Sequence, residues 1–129
     1  MHTDPVLTLN DGNRMPQLGF GLWQVPADQT ARVVAEGLDA GYRLIDGAAI
    51  YGNEQGQGAG VRSSDIPRDQ LFVTTKVWNS EQGFDRTLRA AESSLERLGL
   101  PSVDLLLIHW PCADKGLFVD TWRALIRLR

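Results

Sequence analysis

"YRLIDGAAIYGNEQGQGAGV", residues 42–61, joins a short apolar strand to an acid, a tyrosine and a run of glycines. Two readings compete. Either the glycines cradle a pyrophosphate and the chain is a dinucleotide-binding sheet, or Asp46 and Tyr51 carry the chemistry and the strand belongs to another α/β architecture. A dinucleotide fingerprint needs G-x-G-x-x-G directly after a strand and opening a helix, so that phosphate meets the helix N-terminus. Here Gly56, Gly58 and Gly60 run G-x-G-x-G, and Gly56 lies ten residues past Asp46. In "GFGLWQ" (19–24) Gln24 stands where the third glycine belongs. The fingerprint fails at both places. The glycines instead predict a weak, flexible helix around 53–64, since glycine inside a helix costs about 1 kcal/mol relative to alanine.

Outward from this stretch, elements alternate. "DGN" (11–13) between apolar runs is a hairpin signal because such turns need positive φ, giving a hairpin over 6–16 and a strand near 17–21. "DQTARVVAEGLDAG" (28–41) places Ala31, Val34 and Leu38 on one helical face, with Asp28 as N-cap and Gly41 as the stop. "LFVTTKV" (71–77) and "VDLLLIHW" (103–110) read as strands buried on both faces. "FDRTLRAAESSLERLG" (84–99) puts Phe84, Leu88, Ala91, Leu95 and Leu98 on one stripe, and the last helix carries Phe118, Trp122 and Leu125 on another. A hairpin followed by βαβαβαβα implies a parallel sheet with right-handed crossovers. Such a series fits an open doubly wound sheet or half of a (β/α)₈ barrel, which needs about 250 residues when complete. Length alone favours the open sheet.

The bulk properties bound the function. The 129 residues carry 13 basic and 16 acidic side chains, a net charge of −3, with no basic cluster. Nucleic acid is therefore not an expected partner. Cys112 is the single cysteine, so no disulfide can form within the chain and no thiolate cluster is available, which fits a cytoplasmic protein. With His2 and His109 as its only histidines, a metal-dependent hydrolase is disfavoured and no metal is expected. "MHTDPVLTL" has no basic region ahead of an apolar stretch, and no apolar run is long enough for a membrane span.

Ligands of α/β proteins bind beyond the carboxyl ends of the strands. The four strand exits fall near Gly21, Asp46, Lys76 and His109, so three ionisable residues terminate three apolar strands and converge on one rim. Tyr51 shares the loop after Asp46, and Trp23, Trp78 and Trp110 follow three of the strands. An aromatic-walled pocket with a few converging polar groups suits a small molecule. A phenol, with a reference pKa of about 10, is a weak acid that a neighbouring ammonium makes a better proton donor. This set assigns Tyr51 as general acid, Lys76 as its tuning partner, Asp46 as the partner of Lys76, and His109 as a donor orienting a carbonyl oxygen. The matching reaction is proton delivery to a carbonyl as hydride arrives.

"LNDGNRMPQLGFGLWQV" (9–25), "GYRLIDGAAIYGNEQGQG" (41–58), "LFVTTKVWN" (71–79) and "VDLLLIHWP" (103–111) resemble the N-terminal half of the aldo-keto reductase family, and within it bacterial 2,5-diketo-D-gluconate reductase-type enzymes. The resemblance implies the N-terminal half of a (β/α)₈ TIM barrel, four βα units from about 17 to 129 after the hairpin, in one domain over 1–129. It also implies NADPH-dependent reduction of aldehydes and ketones. The family's catalytic Asp, Tyr, Lys and His match Asp46, Tyr51, Lys76 and His109. Its cofactor contacts match Gly21, Leu22, Trp23 and Asp46, and its substrate pocket matches Trp23, Trp78 and Trp110. A half barrel is expected to leave most NADP affinity outside these residues, to expose sheet edges and to self-associate, the parent enzyme being monomeric. The rival reading is a non-catalytic interaction protein with a degenerate reductase fold, against which the intact tetrad speaks. Where the family usually has Thr or Ser, an apolar residue and Ala, this chain has Gly47, Gln57 and Gly60, changes expected to loosen the second helix and the turn beside Asp46.

Overall fold

The computed structural model describes residues 5–129; the first four positions of the predicted domain, His2 among them, lie outside the described residues. The hairpin forms as expected. Strand β1 (Val6–Thr8) pairs antiparallel with β2 (Arg14–Pro16), Val6 opposite Pro16 and Thr8 opposite Arg14. Gly12 turns the chain at φ +86°, and Asp11 Oδ1 accepts the Asn13 N–H at 3.0 Å, an Asx turn that fixes the loop.

Four parallel strands follow, β3 (Gly19–Gly21), β4 (Leu44–Asp46), β5 (Phe72–Val77) and β6 (Leu105–Ile108), in the spatial order β3-β4-β5-β6. Between and after them run α1 (Ala27–Asp39), α2 (Glu54–Arg62), α3 (Phe84–Leu98) and α4 (Phe118–Leu128). Chain order equals spatial order, so right-handed crossovers put every helix on one face of the sheet. Each helix accordingly packs on the next, α1 on α2, α2 on α3 and α3 on α4. A doubly wound sheet reverses its order and covers both faces; this one progresses in a single direction, as a barrel does.

The core fills the space between sheet and helices with Leu22, Val34, Leu38, Ile45, Val61, Leu71, Val73, Leu98 and Leu100. Thr75 also faces the helices, where its hydroxyl donates to Glu54 of α2. Side chains alternate along a strand, so Thr74 and Lys76 point to the other face. Register places Asp46 beside Thr74 and Leu107 beside Lys76. The helix-free face of the sheet therefore carries the polar strand ends.

Several expectations are corrected. α2 is not a loosened helix: a Cβ at Gly56 would lie 2.6 Å from Thr30 of α1, one at Gly60 2.5 Å from Val34 of α1, and one at Gly58 1.7 Å from the Leu98 carbonyl oxygen at the end of α3. Its glycines permit backbone approach on both sides, and that packing outweighs their poor helix propensity. Asp28 lies inside the first turn of α1 and makes no capping bond; Pro26 holds the N-cap position. Gly41, at φ +103°, does end the helix, its N–H bonding the Leu38 carbonyl. On α1 the buried stripe is Thr30, Val34 and Leu38, with Ala31 half-buried beside it. On α3 it is Thr87, Ala91, Ser94 and Leu98, leaving Phe84 exposed. On α4 the buried residues are Thr121 and Ala124, while Trp122 is 58% exposed. β6 is an edge strand rather than one buried on both faces, with Leu107 36% exposed, because among the described residues no strand lies beyond it.

Candidate active site

The polar strand ends meet in one cluster. Lys76, near the end of β5, reaches across to β4, where its Nζ donates to Asp46 Oδ2 at 2.8 Å and to the Gly47 carbonyl at 2.9 Å. The same ammonium lies 3.4 Å from Tyr51 Oη and 5.2 Å from the Tyr51 ring centroid. Tyr51 is delivered by a single 3₁₀ turn (Ala49–Tyr51) that ends at Gly52, φ +69°, where a left-handed residue is required. The other oxygen of Asp46 accepts a hydrogen bond from Thr74 Oγ1. With both oxygens engaged, the carboxylate holds the lysine in place, and its charge balances the ammonium.

His109 follows β6 and keeps the ladder going, its N–H donating to the Val77 carbonyl at 3.1 Å. Its ring stands edge-on to Tyr51 at 5.8 Å and to Trp78 at 5.1 Å between centroids, and stacks near Trp110 at 6.2 Å. Burial pushes its pKa below the usual imidazole value; the Lys76 charge adds to this and the Asp46 charge opposes it. The neutral ring is favoured. Nδ1 is buried and has no hydrogen-bond partner among the described residues.

That cleft, about 560 Å³, is lined by Trp23, Gln24, Ile50, Tyr51, Trp78, His109 and Trp110. The structure thus brings together all four predicted catalytic residues and all three predicted tryptophans. Of the predicted cofactor contacts, Gly21 and Trp23 are exposed at the end of β3 and on the loop after it. Leu22 differs. Its side chain is fully buried in the core, its N–H is bound to the Asp46 carbonyl at 3.0 Å, and its own carbonyl accepts Asn53 Nδ2 at 2.9 Å. In this arrangement it supports the turn from behind and presents no surface to the cleft.

Sequence reasoning missed the supports. Asn53 Nδ2 also binds the Val25 carbonyl at 3.0 Å, so one buried amide clamps the loop on which Gln24 sits at φ +62°, a left-handed position unusual for a side-chain-bearing residue. Buried Gln82 donates to the Trp110 carbonyl at 2.6 Å and fixes the loop after β6. Thr74 was legible in principle: it stands two positions before Lys76, hence on the same strand face. Asn53 and Gln82 bond across loops far apart in the chain, and no local spacing announces them.

The fold and the rim together define a class: a singly wound parallel βα protein whose strand ends carry a hydrogen-bonded Tyr–Lys–Asp cluster beside an imidazole in an aromatic cleft. The chain belongs to the aldo/keto reductase family, whose model matches residues 17–129. It is 54% identical over 125 residues to an aldo-keto reductase of Mycobacterium sp. (strain JLS), covering 97% of this chain and 45% of that protein. An aldo/keto reductase structure from Brucella melitensis matches with TM-score 0.96 and 53% identity over 99% of this chain and 49% of its own. A Bombyx mori aldo-keto reductase in complex with NADP matches with TM-score 0.88 and 33% identity, over 100% and 48% respectively. The chain spans about half the length of the curated relatives it matches, and its fold is the N-terminal half of the family's (β/α)₈ barrel.

Among the described residues no group of three or more His, Cys, Asp or Glu side chains could hold a metal ion, and no helix is long and apolar enough to cross a membrane.

Proposed function

We propose that the whole protein is a cytoplasmic reductase of aldehydes and ketones that uses NADPH. The observation that carries this reading is the placement of Lys76 Nζ, 3.4 Å from Tyr51 Oη while ion-paired to Asp46 at 2.8 Å. A fixed positive charge at that oxygen stabilises the negative charge that develops there as its proton leaves. His109 Nε2 donates to the carbonyl oxygen and aims it at the phenol. Trp23, Trp78 and Trp110 exclude water and hold the carbonyl's apolar substituent.

The chain fits a nicotinamide at this place. Gly21 has no side chain to obstruct the end of β3, and a Cβ there would meet nothing nearer than Asp46 Oδ2 at 3.9 Å. The exposed Trp23 face lies beside it. Gly21, Trp23 and Asp46 would hold the cofactor's nicotinamide end, and the bound cofactor supplies the hydride. We place most of the affinity for the rest of the cofactor outside these 129 residues, so this span alone binds NADPH weakly and is poorly active.

Tyr51→Phe in the whole protein is the test. The expected result is loss of aldehyde reduction by about 10²-fold or more, the usual share of a general acid, with NADPH binding retained by fluorescence titration. Undiminished turnover in that variant would overturn the assignment. A protein that binds NADPH but reduces no carbonyl compound would favour the non-catalytic reading.

A further inference from the structure

Behind the Tyr51–Lys76 cluster lies a side chain that the reaction does not use. Gln57, on α2, is fully buried. Its Nε2 donates to the Thr74 carbonyl at 3.1 Å, with the Ile45 carbonyl at 3.5 Å, and its Oε1 is buried with no partner among the described residues. The amide occupies the space where a side chain at position 47 would stand: a Cβ on Gly47 would lie 2.1 Å from Gln57 Oε1 and 2.7 Å from its Cδ. Gly47 is no idle turn residue. Its N–H bonds the Thr74 carbonyl at 3.2 Å, and its own carbonyl accepts the Lys76 ammonium at 2.9 Å. Thr74 in turn donates to Asp46.

We infer that Gln57 is a positioning residue for Lys76, acting through Gly47: its amide fills the volume of the absent side chain and pins the peptide whose carbonyl is the lysine's second anchor. Positions 47 and 57 form one unit, in which the missing side chain of the first is replaced by the amide of the second. This inference rests on the reductase reading for its catalytic consequence, while its geometric content stands on Lys76 alone.

A Cβ at position 47 would overlap the end of the Gln57 side chain by more than about 1 Å, and because that amide is fully buried and bonded to the Thr74 carbonyl it has little room to give, so part of the strain passes to the Gly47 peptide; a misplacement of about 1 Å near reacting groups costs on the order of 10²-fold in rate. The chain has two lysines, Lys76 in the site and exposed Lys115, so the second is an internal reference. The test is reductive methylation with formaldehyde and cyanoborohydride, read by peptide mass spectrometry as the Lys76 to Lys115 ratio, together with kcat and KM in the whole protein.

Gly47→Ala should raise the ratio by about tenfold and lower kcat with little change in KM, and adding Gln57→Ala should bring both back toward the parent. Gln57→Ala alone should raise the ratio a few-fold with an unchanged circular dichroism spectrum; this decides the matter if Gly47→Ala does not fold. An unchanged ratio in folded Gln57→Ala, or a folded double variant no closer to the parent than Gly47→Ala, overturns the inference. Should the parent reduce no carbonyl compound, the reductase reading fails, and the methylation ratio still decides whether Gln57 positions Lys76.

Discussion

Helices α2 and α4 invert what their sequences promise. α2, "EQGQGAGVR", has three glycines and little apolar bulk, yet five of its nine residues are buried. α4, "FVDTWRALIRL", is strongly amphipathic, yet only Thr121 and Ala124 are buried, and Val119, Trp122 and Ile126 face solvent at 48%, 58% and 60% exposure. The difference lies in the neighbours. α2 is held between α1 and α3, where absent side chains let backbones close up; α4 packs on α3, and among the described residues no further helix covers its other side. Amphipathicity reports what a helix needs to bury, and packing decides whether anything is there to bury it.

The packing of α2 is most vulnerable at Gly58. Overpacking a tight site costs typically 1–3 kcal/mol and sometimes more, and here the obstacle is backbone, the Leu98 carbonyl. Gly58→Val is therefore expected to destabilise by about 3 kcal/mol or more, read as loss of the cooperative thermal transition; a melting curve like the parent's would mean that α2 is looser than its contacts suggest. Next comes Glu54, 2% exposed, which accepts from Thr75 Oγ1 and from Arg97 Nε at 2.7 Å and so ties α2 to both β5 and α3. Removing hydrogen bonds to a charged group costs about 1.5–3 kcal/mol. Arg97 is partly exposed and rehydrates on losing its partner, so Glu54→Ala is expected near the lower end of that range by urea unfolding.

On α4 the same bookkeeping gives almost nothing. Trp122→Glu with Ile126→Lys should change unfolding free energy by no more than about 0.5 kcal/mol per site, as surface substitutions do. Its effect belongs to association. An exposed apolar row beside a sheet edge is the kind of surface that associates, so sedimentation of residues 1–129 is expected to show oligomers that this pair of substitutions converts to monomer. Oligomers that persist unchanged would remove the apolar row as the cause.

The site was more legible in the sequence than the packing. Asp46, Lys76 and His109 are ionisable residues at the ends of apolar strands, a local pattern whose convergence follows from parallel topology, and the strand order confirms it. The glycines of α2 gave no such signal. Read locally they weaken a helix, and their value appears only when Thr30, Val34 and Leu98 arrive from elements distant in the chain. Likewise the stripes on α3 and α4 mark apolar periodicity correctly but not which side is covered, since that depends on a neighbour. Leu22 shows the opposite limit: its position beside the rim is legible, while its inward side chain is not.

The smallest expected effect lies where the two regions meet. His109 hangs from the open β6 flank and turns its ring toward Tyr51, carried by the packed side of the sheet. Its pKa is held down first by burial and then by Lys76, with Asp46 opposing. Below an unfolded value of about 6.5, the unfolded chain takes up a proton there that the folded chain refuses, so stability rises with pH across that window. The contribution is complete above about 6.5 and is lost as pH falls toward the depressed folded value. His109→Gln should therefore show a shallower fall in urea midpoint between pH 7.5 and 5.5 than the parent, all other groups cancelling in the difference. Since burial is the first cause, covering the β6 edge with further chain should deepen the effect. An equal slope in the whole protein and in residues 1–129 would mean that the open flank leaves this histidine's environment unchanged.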